Sequence, residues 1–226
     1  MKNSKHLLAG FGLLLGVLAV FSIYWPGLHG VFFFDDHPNI VLNPGVKLDD
    51  LSRESLGLAW SSGTASQFGR PVSQLSFALN HYFSRLNPFA FKLTNLVIHS
   101  LNGVLIYFVG YQLLDSLRQR QNLKHISLWA SLLAVAWMIH PIQLTSVLYV
   151  VQRMTSLSAF FLLLALVLHV LARRHNQRDL LAISLLVLAW CIFWPLSILS
   201  KETGVLLPAF VTAYELIVRR SERGSL

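Results

Sequence analysis

Six stretches of this chain are apolar enough to be read as membrane spans, and that pattern leaves the backbone little choice. In hydrocarbon every N–H and C=O must be satisfied inside the segment, so such stretches fold as helices. About 20 mostly apolar residues cross the core of a bilayer. The stretches fall at about 6–25, 91–114, 126–139, 154–172, 180–199 and 204–218. Only 12% of the 226 residues are charged and 54% are hydrophobic, whereas soluble domains carry roughly 25% charged residues. The expected fold is all-α and integral to the membrane. One membrane domain covers 1–226, as a bundle of about six helices with a long external loop at 26–90 carrying short interfacial helices.

The first stretch follows Lys2 and Lys5, as the apolar part of a secretory signal would. It ends in Tyr24-Trp25-Pro26, an interfacial aromatic anchor with no small-x-small cleavage site behind it, so an uncleaved anchor is expected. The third stretch is short and stops at His140-Pro141, leaving 142–153 as a re-entrant or interfacial segment. Pro195 should kink the fifth. In the long loop, Asp50 or Ser52 is placed to cap a helix reaching Trp60. After Arg70-Pro71, the spacing of Val72, Leu75, Leu79 and Tyr82 or Phe83 predicts a second helix, either lying on the membrane surface or packed on other loop residues.

The net charge of +8 does not imply nucleic acid, because the basic residues cluster at span ends. Lys2 and Lys5, then Arg118, Arg120 and Lys124, then Arg173, Arg174 and Arg178, then Arg219, Arg220 and Arg223 mark every second loop. Both termini are therefore expected in the cytoplasm. The expected location is a bacterial inner membrane, with the long loop and the candidate site on its periplasmic side. Cys191 has no partner for an internal disulfide.

Under this topology four polar groups meet at the external boundary: Asp35-Asp36-His37, Arg70, His140 with Gln152-Arg153, and Lys201-Glu202. Each alone has a plain explanation, such as a snorkelling arginine, a helix stop or a connecting turn. Together they suggest a substrate path, since ionisable groups at membrane depth are costly. A carboxylate can take the proton of an acceptor hydroxyl. Arg and Lys can hold a phosphate and stabilise it as it leaves. A sugar carried through phosphate on a membrane lipid needs both. The acid pair could alternatively hold Mg²⁺ or Mn²⁺, although two carboxylates supply few of the oxygens such an ion takes. Asn95, His99 and Asn102 share one helix face, suited to hydrogen bonds between helices or to lining a lipid-phosphate groove. Glu215 is spaced to pair with Arg219.

Several motifs carry a resemblance. They are F-x-D-D-H-P-x-I-x-x-N-P at 33–44, G-R-P-V-S at 69–73, N-P-F-A-F-K-L-T-N-L-x-I-H at 87–99, H-P-I-Q-L-T-S-V-L-Y-V-V-Q-R-M-T-S-L at 140–157 and S-K-E-T-G-V-x-L-P at 200–208. In this order they resemble the GT-C membrane glycosyltransferases, closest to the TPR-bearing transmembrane O-mannosyltransferases and their bacterial relatives. The resemblance implies a sugar donor on polyprenyl phosphate and a protein or lipid acceptor hydroxyl on the external face. It implies Asp35 and Asp36 as the catalytic acids. Arg70, His140, Arg153 and Lys201 are the candidates for the donor phosphate, with His37, Gln152, Glu202 and His99 in support. It also implies more spans than six, so the chain is expected to correspond to an N-terminal half. The rival expectation is a non-catalytic subunit or fragment that binds or presents lipid-linked sugar, with a second subunit supplying the missing helices.

Overall fold

The computed structural model describes residues 2–121, 124–175 and 179–223, and among them it contains helices and no strand. Helix α1 (Lys2–Tyr24) is the anchor, and a tight turn at Trp25–His29 follows it. The external loop then folds as π and 3₁₀ turns at His37–Val41 and Pro44–Val46, and as helices α2 (Arg53–Ser61) and α3 (Pro71–Ser84). The longest helix, α4 (Pro88–Gln121), is followed by α5 (Ile126–Ile139), the short α6 (Leu144–Leu148) and α7 (Arg153–Ala172). A bipartite span follows, made of α8 (Leu180–Val187) and α9 (Trp194–Ser200) joined by a π stretch at Leu188–Phe193. The turn Glu202–Leu206 leads to α10 (Leu207–Arg223).

Helix α4 is the post of the bundle, with α1, α5 and α7 packed on it. Polar side chains along one face of α4 tie it to its neighbours. Asn95 Nδ2 donates to the carbonyls of Val147 (3.3 Å) and Val150 (3.2 Å), and Asn102 Nδ2 to that of Ser156 (2.9 Å). His99 Nε2 meets the Met138 carbonyl at 2.9 Å. This is the helix-to-helix bonding expected of amides and imidazoles within a membrane bundle. At the opposite end from the external loop, Arg173 holds Glu215 through Nε (2.7 Å), and Arg174 pairs with Asp115 (3.2 Å). The pairing of Glu215 with Arg219 expected from the sequence involves a side chain outside the described residues. Arg178 lies outside the described residues, as do the side chains of Lys2, Lys5, Arg118, Arg120, Arg219, Arg220 and Arg223.

Among the described residues, four helical stretches are long and apolar enough to cross a membrane: Leu8–His29, Pro88–Leu117, Val150–Ala172 and Leu180–Ser200. The pair Ile126–Ile139 and Pro141–Leu148, bent by 53°, makes a fifth if it acts as one span. The bend falls at His140-Pro141, where proline denies the helix a donor. The sixth stretch, α10, has 17 residues and is not among these spans. Glu215 and the arginines that follow interrupt its apolar run, and it packs Leu207 and Val211 against the α7 cluster.

Helix α3 is a packed helix rather than one lying free on a lipid surface. Ser73, Gln74, Phe77, Ala78 and His81 are buried. Ser73 Oγ donates to the Ser200 carbonyl at the end of α9 (2.9 Å), and His81 Nδ1 meets the Leu48 carbonyl (3.2 Å). Phe77, Phe91, Ile40, Val46, Val150 and Met154 form the cluster that seats the external loop on the bundle. Burying a side chain of this size contributes about 1.5–3 kcal/mol. Helix α2 is capped by Ser52, whose Oγ accepts from Ser55 N (3.2 Å), one of the two caps its sequence offered.

Candidate active site

The site is assembled by the segment between α6 and α7. Extended backbone at Tyr149 ends α6, a 3₁₀ turn covers Val150–Gln152, and α7 starts at Arg153. The external loop docks on this segment through two bonds. Asp36 Oδ1 accepts from Val151 N (2.7 Å), and Asp35 N donates to the Tyr149 hydroxyl (3.0 Å). Asp36 Oδ2 accepts from Phe33 N (3.0 Å), which closes the turn on itself. That turn contains Phe34 at φ +40°, a left-handed conformation uncommon for a bulky residue.

The two acids therefore have different surroundings. Asp36 is fully buried, and both its oxygens are engaged by backbone N–H groups. Burial pushes its pKa up, opposed by the N–H groups of Phe33, Val151 and Val150 and by the charge of Lys92. Asp35 is exposed and lines an open cavity of about 370 Å³ together with Asn39, Ala65, Arg70, Val151, Gln152, Met154 and Lys201.

Arg70 enters that cavity from the end of a closed loop. Gly69 has φ +67°, and a Cβ on Gly63 would lie 1.5 Å from the Gly69 carbonyl oxygen, so glycine is required where the two backbones meet. Arg70 itself sits at φ +49° immediately before Pro71. Its Nη2 pairs with Glu202 Oε2 (2.8 Å) and its Nε reaches both carboxylate oxygens at 3.2 Å. Burial alone would raise the Glu202 pKa, but the Arg70 and Ser66 hydrogen bonds outweigh it and hold it at about 2. The turn after α9 presents its two charged residues differently. Glu202 is clamped by Arg70, whereas Lys201 Nζ donates to Thr155 Oγ1 (2.7 Å), whose hydroxyl donates to Gln152 Oε1 (2.8 Å). Among the described residues Lys201 makes no ion pair. Burial, then the charge of Arg70, push its pKa down. A Cβ on Gly204 would lie 2.5 Å from the Ser197 carbonyl carbon, so glycine lets this turn fold back against α9.

Of the residues expected at one site, the cavity brings together Asp35, Arg70, Gln152 and Lys201, with Glu202 bound to Arg70. Four others are placed elsewhere. Arg153, expected at a phosphate, is fully buried: Nε donates to Asn95 Oδ1 (2.7 Å), Nη1 to the Ser76 carbonyl (3.1 Å), and Nη2 to Asn80 Oδ1 and the Phe91 carbonyl (both 2.8 Å). The rings of Phe77 and Phe91 flank it at 4.8 and 5.3 Å. With four of its five N–H donors bonded to α3 and α4, this buried guanidinium ties those helices to the start of α7 and lies outside the cavity lining. His140 is exposed, and its Nδ1 accepts from Ile142 N (3.2 Å), so it caps the turn after α5. His37 is exposed at the start of the 37–41 turn and outside the cavity lining. His99 is buried, stacked 4.8 Å from Trp137. Each oxygen of Asp36 accepts from one backbone N–H, and among the described residues no group of three or more His, Cys, Asp or Glu is arranged to hold a metal ion.

Tyr149, Thr155 and Asn39 were not singled out from the sequence. Only the hydroxyls of Tyr149 and Thr155, inside a motif already noted, hinted at them.

An all-α integral membrane protein with a charged cavity at one end of its bundle is thus the class that fold and site define. Over most of its length the chain is homologous to the protein O-mannosyl-transferases, in keeping with the glycosyltransferase resemblance of its motifs. It is 30% identical to human protein O-mannosyl-transferase TMTC4 over 199 residues, covering 84% of this chain and 27% of that protein. It is 28% identical to Caenorhabditis elegans protein O-mannosyl-transferase F38B6.6 over 207 residues, covering 89% of this chain and 27% of that protein. Human TMTC3 matches at 28% over 214 residues, 91% of this chain and 21% of that protein. The chain thus spans about a quarter of the length of the curated relatives it matches. No family model matches the chain, and no solved structure does.

Proposed function

We propose that this chain forms the donor-side part of a membrane glycosyltransferase. It moves a sugar, mannose by the names of its relatives, from a polyprenyl phosphate to a protein or lipid hydroxyl on the external face. The observation that carries the reading is the exposed Asp35 sharing one cavity with Lys201, which has no ion pair among the described residues, and with the Arg70–Glu202 pair. In this reading Asp35 takes the proton of the acceptor hydroxyl while its oxygen bonds to the anomeric carbon. The bond from that carbon to the phosphate oxygen breaks, configuration inverts, and polyprenyl phosphate leaves. Lys201, and Arg70 beside it, offset the charge that develops on the phosphate. Asp36 and Arg153 hold the frame. The active site then faces the periplasm or lumen.

The test is sugar transfer in membranes, from radiolabelled mannosyl-phosphoryl-polyprenol to a serine- and threonine-rich peptide. Asp35→Asn should lower turnover by about 10²–10⁴-fold without lowering the melting temperature. Full turnover by this variant would instead favour a subunit that only presents lipid-linked sugar.

A further inference from the structure

The residue that aims Asp35 comes from a different part of the chain. Asp35 follows Phe34, whose backbone is held left-handed at φ +40°, and such a conformation persists only where surroundings over-determine it. Within the turn, Asp36 N donates to the Phe33 carbonyl (2.9 Å), His37 N to that of Phe34 (3.0 Å), and Asn39 N and Nδ2 to that of Asp35 (3.2 and 2.8 Å), while Asp36 Oδ2 accepts from Phe33 N. Two bonds tie the turn to the distant 149–151 segment: Asp36 Oδ1 accepts from Val151 N, and the backbone N–H of Asp35 itself donates to the Tyr149 hydroxyl at 3.0 Å, across 114 residues of sequence. The Tyr149 ring also stands edge-on to Phe33, with centroids 6.2 Å apart, so the phenol is fixed by packing before it accepts the bond.

We infer that Tyr149 is a positioning residue for Asp35: its hydroxyl anchors the strained turn and so sets where the carboxylate stands in the cavity. This rests on the reading of Asp35 as the base. The phenol suits the role, because an oxygen that accepts from the amide still keeps its own proton to donate. Burial, and then the charge of Asp35, push the Tyr149 pKa above its ordinary value despite the amide bond, so the hydroxyl stays neutral at physiological pH. The tether also runs straight into the cavity wall. Val151 and Gln152, two and three residues beyond Tyr149, line the same space as Asp35. A shift of this segment would therefore move the carboxylate and the wall together.

Tyr149→Phe removes only the hydroxyl and keeps the ring against Phe33. Hydrogen–deuterium exchange by mass spectrometry, on protein in lipid nanodiscs, should show the peptide covering 33–36 exchanging about tenfold faster, with the global melting temperature unchanged. With the same mannosyl-phosphoryl-polyprenol and peptide, kcat should fall about tenfold or more while KM for the donor stays within a factor of about two. In an Asp35→Asn background the same change should have no further effect on turnover. Exchange at wild-type rate overturns the tether whatever the turnover does. Wild-type kcat in Tyr149→Phe beside a dead Asp35→Asn overturns Tyr149 alone and leaves the base standing. Wild-type turnover in Asp35→Asn overturns both.

Discussion

Replacing Arg153 gives the sharpest separation between a ligand contact and a structural tie. Arg153→Met keeps an unbranched apolar stem between Phe77 and Phe91 and deletes the guanidinium. Four acceptors then lose their donor: Asn95 Oδ1, Asn80 Oδ1 and the carbonyls of Ser76 and Phe91. Each buried amide oxygen left without a donor costs about 1–3 kcal/mol if nothing replaces the bond, while the two carbonyls, inside α3 and α4, lose only a second bond. The amides can re-pair in part, and such costs are not additive, so the net loss should be about 3–5 kcal/mol, as for breaking other buried charge networks. For a chain of this length 1 kcal/mol is worth roughly 2–4 °C, giving a drop of about 6–20 °C in melting temperature. The assay is thermal denaturation in detergent followed by size-exclusion fluorescence, beside donor affinity measured well below the melting point on the fraction still folded. Affinity should be unchanged, because the guanidinium does not reach the cavity. A variant melting within about 2 °C of wild type but losing donor binding would refute the reasoning and return Arg153 to the phosphate.

Other outcomes follow from the same geometry. Lys201→Met should raise donor KM about 10–100-fold, the worth of one charge-assisted hydrogen bond, read from the transfer kinetics; unchanged KM and kcat would remove Lys201 from the site. Asp36→Asn places an amide N–H where Asp36 now accepts from the backbone, and should destabilise by about 1–3 kcal/mol in a melting experiment; full stability would deny Asp36 its role in holding the turn. Glu202 has its folded pKa depressed to about 2 from an ordinary 4.5, so the stability it adds is present above about pH 4.5 and lost as pH falls toward 2. With the carboxylate over a third exposed, solvent screening leaves about 1 kcal/mol, and Glu202→Gln should flatten that acid limb of a melting-temperature profile. Finally, a cysteine at Ser62 in a Cys191→Ala background should react with an impermeant thiol reagent from outside intact cells; labelling only after lysis would invert the proposed topology.

What could be read from the chain alone was what one-dimensional patterns carry. Apolar run length decided the all-α membrane class, because lipid offers the backbone no other partner. Asp35, Arg70 and Lys201 were legible as candidates because charges beside apolar runs are costly and conspicuous, and the order of the motifs supplied the transferase resemblance. Several outcomes needed the packed chain. Nothing in the string Asp35-Asp36 says which carboxylate takes the Val151 and Phe33 N–H groups and which is left to the cavity. The choice depends on a turn held from residues 149–151. Lys201 and Glu202 are neighbours in sequence, yet Arg70 from the distant loop claims the glutamate and leaves the lysine to Thr155. Arg153, read as a ligand, is a core tie because α3 and α4 close over it with two amides, two carbonyls and two phenyl rings. Helix α10, 17 residues long, falls short of a span because Glu215 interrupts its apolar run, while Leu207 and Val211 pack into the α7 cluster. Local sequence determines which groups are expensive to bury; only the tertiary contacts determine which of them are given partners, and so which remain free to act.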